Sequence, residues 1–135
     1  MSTDMYPQGA IDLMLEKEQM SNIHVTNATI KGFFIGVEDH NILTMHLHLE
    51  HSDGDWQSFG NYNLLPHKQE TGPNYMGVFI REVLNVVGCR HINDLVGKNI
   101  RIHVKGGLIV GIQHIIKDEL VFYPGEVLKK LEDKS

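Results

Sequence analysis

Apolar positions along the chain alternate in two rhythms, and the change of rhythm divides it into elements. From Ile23 to Val37 the run "IHVTNATIKGFFIGV" is rich in β-branched and aromatic residues and predicts a strand. Gly32 and Gly36 within it predict a bulge or a close backbone approach. "EDHN" reads as a turn, and "ILTMHLHLEH" (42–51) as a second, strictly alternating strand. "SDGD" is a hairpin signal, and "WQSFGNYNLL" (56–65) continues as a third strand. After the polar loop 66–74 the rhythm changes. Tyr75, Met76, Phe79, Ile80, Val83, Leu84 and Val87 recur at helical spacing, and Gly88 closes the run as a C-cap. Gly77 inside this helix predicts a tight packing contact there. "INDLVG" reads as a short helical turn. "KNIRIHV" and "LIVGIQHI" form two more strands about Gly106-Gly107, and a short helix follows Pro124.

This order predicts an α+β fold: a five-stranded antiparallel sheet, one long helix packed on a face, and short terminal helices. Residues 8–20 carry Ile11, Met14, Leu15 and Met20 among charges, an amphipathic signal. The expected division is an N-terminal helical appendage at 1–20 and a single α+β domain at 21–135.

Composition narrows the class. The chain has 135 residues, 41% of them hydrophobic and 21% charged, enough for one packed core. No run of about 18 apolar residues predicts a membrane span. The first 20 residues lack a basic region followed by an apolar block, so no secretion signal is expected. Cys89 is the only cysteine, which leaves no internal disulfide. A cytoplasmic location is the simplest expectation. The net charge of −5 argues against general binding to duplex nucleic acid, which needs broad phosphate neutralisation. A small anionic ligand needs only a few cations in one place.

Four groups of residues carry candidate chemistry. His46, His48 and Glu50 share one face of a strand, the geometry of a metal-dependent hydrolase site and equally of a solvated face. Cys89 with His91 suggests a nucleophile and base, but no third, orienting group accompanies them. Arg101, His103 and Lys105 form a basic stripe, with His114 and Lys117 following on the paired strand and Arg81 on the helix. These are the residue types that hold phosphate oxygens, and a solvated sheet face gives the same pattern. Trp56, Phe59 and Tyr62 offer rings for stacking or for the core, and Gly60 allows close approach. Neither phosphate-loop nor dinucleotide fingerprint occurs: "VKGGLIVG" lies between strands, not ahead of a helix.

Taken together, "NATIKGFFIGVEDHNILTMHLHLE", "QSFGNYNL", "GVFIREVLNVVG", "INDLVGKNIRIHV" and "GIQHIIKDELVFYP" follow one another in an order that resembles the first Thoeris anti-defence family of phage proteins. The resemblance spans about Ile23 to Pro124. It implies a sponge and not an enzyme. Such proteins hold glycosyl cyclic ADP-ribose signals made by bacterial TIR-domain proteins without changing them, and some members capture cyclic oligonucleotides. They act in the infected host's cytoplasm as dimers or higher oligomers, with pockets near subunit interfaces and no cofactor.

Carried over, the family's "GFGGY" motif falls on Phe59, Gly60 and Tyr62, with Asn61 in place of its second glycine. The helix motif falls on Phe79, Ile80 and Arg81, the strand cation on Arg101, and the "GHIIKD" motif on His114, Lys117 and Asp118. Gln113 replaces a glycine, and Leu120-Val121 replaces Trp-Phe. The expected ligand-binding set is therefore Phe59, Gly60, Tyr62, Arg81, Arg101, His103, His114 and Lys117. A protein-binding inhibitor of a host defence enzyme is the alternative, and a hydrolase at His46, His48 and Glu50 the third reading.

Overall fold

The computed structural model describes residues 22–65 and 72–134. The expected appendage at 1–20 lies outside them. Within them, β1 (His24–Glu38), β2 (Ile42–His51) and β3 (Trp56–Gly60) form a meander, with the single 3-10 turn Asp39–Asn41 between β1 and β2. Helix α1 (Tyr75–Val87) follows, then the 3-10 turn Ile92–Asp94. The chain continues through β4 (Asn99–Lys105), β5 (Leu108–His114), β6 (Val121–Phe122) and α2 (Pro124–Lys134).

The sheet has six strands, not the expected five, in the order β3-β2-β1-β4-β5-β6. All its pairings are antiparallel. The extra strand, β6, is two residues long and pairs Phe122 with Ile112 and Val121 with Gln113. Two residues carry no period, so nothing in the sequence marked them. The expectation of one long helix is also corrected: α1 has 13 residues and α2 has 11. The third strand stops at Gly60, five residues early, because positive φ angles at Gly60 and Asn61 break the extended chain. The chain still runs beside β2, with Asn61 N donating to Met45 O and Leu64 N to Leu43 O.

β1 binds the two halves of the sheet together. Residues 24–29 pair with β4 and 28–38 with β2, so Ala28 and Thr29 are paired on both sides, and the register with β2 shifts between Ile30 and Gly32. A bulge of this kind bends the strand and increases its twist. The sheet curls until β3 meets β5. There the Gln57 amide donates to Gly107 O at 2.7 Å, and the Phe59 and Phe122 rings stand 6.4 Å apart. The result is a partly open barrel of β1 to β5, with α1 inserted between its third and fourth strands.

The core follows from alternation. Ile30, Met45, Leu47, Leu49, Ile100, Ile102 and Ile112 face inward, fully buried. α1 adds Tyr75, Phe79, Val83, Val86 and Val87 from one stripe. Phe59, Phe79 and Phe122 meet there in an aromatic cluster. Each buried ring contributes on the order of 2 kcal/mol from area alone. Asn74 caps α1 by accepting from Gly77 N at 2.9 Å, and Gly88 ends it in the left-handed conformation. The close contact expected at Gly77 is with this cap: a Cβ there would strike the Asn74 side chain.

Candidate functional site

Three strands place the basic stripe. Arg101 and His103 alternate with the buried Ile100 and Ile102, so they point outward from the barrel. Arg101 Nε donates to His114 O at 2.8 Å, and its Nη2 stands 2.7 Å from Asp118 Oδ1. The arginine side chain is 22% exposed and its partner carboxylate 82% exposed. Nη2 itself is buried and its contact with the carboxylate is an ion pair without hydrogen-bond geometry, so another anion reaches it by displacing Asp118. His103 is held from both ends, with Nδ1 2.6 Å from the Tyr123 hydroxyl and Nε2 2.8 Å from Gln113 Oε1. The Gln113 amide nitrogen donates to Asp118 O, which turns its oxygen toward the imidazole. An amide oxygen only accepts, so Nε2 carries the proton and Nδ1 accepts from the phenol. Burial, and secondarily Glu126, push the Tyr123 phenol above its ordinary range.

A pocket of about 410 Å³ is lined by Asn27, Ala28, Thr29, Ser52, Asn99 and Ile115. Asn27 is the cross-strand partner of Arg101, and Ile115 follows the carbonyl that Arg101 grips. Thr29 Oγ1 donates to Asn99 Oδ1 at 2.7 Å, which leaves the Asn99 amide donors free to point elsewhere. The lining offers hydroxyls and amides, with a guanidinium next to them. The sequence reading missed Asn27, Thr29, Ser52 and Asn99. They are ordinary polar residues on a strand face and at a turn, and only pairing β1 with β4 assembles them.

The other expected residues are dispersed. His114 faces the helix side: Nδ1 accepts from Ile116 N and Lys117 N, and the ring lies against Gly88. It caps the turn that carries Lys117 and Asp118, and Lys117 itself is exposed. Arg81 is exposed on α1, on the far side of the sheet from Arg101. Phe59 is fully buried and offers no stacking face. At Gly60, φ is +120° and a Cβ would collide with Met45 O, so its absent side chain serves the local backbone. Tyr62 packs on Phe79 and lines a second pocket of about 300 Å³ with Tyr75 and residues of α2; burial raises its phenol. The stripe thus brings together Arg101, His103 and the turn bearing Lys117, and leaves Phe59, Gly60, Tyr62 and Arg81 elsewhere.

The nucleophile and metal readings meet the same geometry. Cys89 packs against the core, and burial followed by Asp94 pushes its thiol up, away from the reactive thiolate. Glu50 pairs with Lys31 at 3.7 Å, while His46 lies under Phe34 with Nδ1 3.8 Å from Glu38. Among the described residues, no three His, Cys, Asp or Glu side chains gather as a metal ion requires. Among the same residues, no helix is long and apolar enough to cross a membrane.

No family model, curated protein or solved structure matches the chain.

Proposed function

We propose that the protein is a non-catalytic binder of a small cyclic nucleotide signal, an anti-defence sponge of the kind the resemblance implies. The observation that carries this reading is the polar pocket lined by Asn27, the cross-strand neighbour of Arg101, together with the exposure of that arginine's counter-ion. Ribose hydroxyls suit Asn27, Thr29, Ser52 and Asn99. A phosphate suits Arg101, with Lys117 next in reach, once it displaces the Asp118 carboxylate. The pocket's volume falls within the roughly 300–1,000 Å³ of small-molecule sites. Tight capture needs deeper burial than one open pocket supplies, and a second copy closing over it meets that need.

The test is to expose the purified protein to the products of an activated TIR-domain enzyme and identify what heat releases from it. The expected result is an intact cyclic nucleotide; recovery of a hydrolysed product overturns the reading. Asn99→Asp keeps the Thr29 hydrogen bond but sets a negative charge in the pocket. It is expected to weaken binding at least about tenfold, on the order of 1.4 kcal/mol, with an unchanged melting temperature.

A second reading, a protein-binding inhibitor, is favoured by Trp56 and Leu108. Both are exposed, and they adjoin the Gln57–Gly107 contact at the β3–β5 seam. A host enzyme retained by the protein and lost on Trp56→Ser, with no nucleotide recovered, would establish it instead.

A further inference from the structure

The outward face of β1 and β2 carries a second group of residues, away from the Arg101 pocket. Register sets Phe34 opposite His46 and Gly36 opposite Thr44, all turned away from the barrel core. Side chains on such a face ordinarily meet water. Here Thr44 is only 1% exposed and His46 8%. The Phe34 ring stacks on His46 with centroids 5.0 Å apart and planes 15° apart. It also lies over Gly36, with Cζ 2.9 Å from where a Cβ would stand. His48 meets His46 edge-on at 4.8 Å.

Two polar atoms are left without partners in this arrangement. Thr44 Oγ1 and His46 Nδ1 are buried and make no hydrogen bond among the described residues. Glu38 Oε1 is 3.8 Å from His46 Nδ1, beyond hydrogen-bond reach. Buried polar groups are almost always paired, and a valine and a phenylalanine would fill the same space without the cost. The ring that covers them is held weakly on one side, because position 36 has no side chain to pin it.

We infer that Phe34, Thr44, His46 and Glu38 form a closed slot for a planar nitrogen heterocycle with N–H donors on its edge. In the open state Phe34 swings off Gly36 and the ligand ring takes its place against His46. The ligand's donors meet the Glu38 carboxylate, and its edge pairs with the Thr44 hydroxyl and His46 Nδ1. The slot does not depend on the proposed capture of a signal beside Arg101.

The experiment is a titration of the full chain with adenosine and with guanosine, followed by amide and histidine-ring NMR. At least one nucleoside is expected to give saturable shifts at Gly36, His46 and His48. Thr44→Val is expected to weaken that binding at least fivefold while the melting temperature holds or rises, since an orphaned hydroxyl is removed. Phe34→Ala is expected to tighten it by removing the cover. Failure of both nucleosides to shift these residues saturably overturns the slot, as does unchanged affinity in Thr44→Val. A lower melting temperature in Thr44→Val also overturns it, because the hydroxyl then has a partner in the folded protein. Asn99→Asp is expected to leave this titration unchanged, so failure of the slot and failure of the Arg101 pocket are read separately.

Discussion

A methyl group at position 60 has nowhere to go. It would meet the carbonyl of Met45 on a backbone already at φ +120°. Gly60→Ala is therefore expected to destabilise the fold by about 2 kcal/mol or more, read as a lowered urea midpoint with an unchanged slope. The glycine was legible in the sequence as a place of close approach, and the neighbouring strand is what stands close to it. Phe59 teaches the same lesson. Its inward direction follows from pairing with Leu47, which alternation had already assigned to the core. A ring that can stack on a base can also fill a barrel, and residue type alone does not separate the two. His103 was visible as a polar position on the stripe. Its partners Tyr123 and Gln113 stand 20 and 10 residues away, and no local pattern announces them.

At the scale of elements, the strongest periods gave the clearest boundaries. β2 runs from Ile42 to His51 as its alternation predicts, and α1 ends at the glycine that its stripe predicts. The α1 start was less plain. The cap is Asn74, whose side-chain oxygen takes the Gly77 amide hydrogen. Asn74→Ala is expected to cost about 1 kcal/mol and Asn74→Ser much less, measured by chemical denaturation. The bulge at Gly32 was readable from a glycine within a β-branched run. β6 was not, since two residues held by their neighbour leave no rhythm of their own.

For the whole molecule, the antiparallel sheet was legible in the sequence, while the curl that brings β3 to β5 depends on contacts between distant segments. The folded molecule also has a defined response to alkali. Burial raises Tyr62, Tyr123 and Cys89 above their ordinary values of 10.0, 10.0 and 9.0. The folded state then holds these protons more tightly than the unfolded chain does. Their contribution is complete below those ordinary values and is lost as pH rises through the higher folded ones. Urea midpoints are expected to hold to about pH 9 and then decline, and Tyr123→Phe is expected to flatten part of that decline. The loss belongs to the alkaline side alone, so acid titration of these three groups changes nothing.

β1 is the stave common to both halves of the barrel, hydrogen-bonded to β4 along residues 24–29 and to β2 along 28–38. A chain that begins after it keeps β2 beside β3 and β4 beside β5, but no strand joins the two ladders. Both ladders therefore rest on one strand, and a cut within β1 is expected to loosen the two sides of the sheet together.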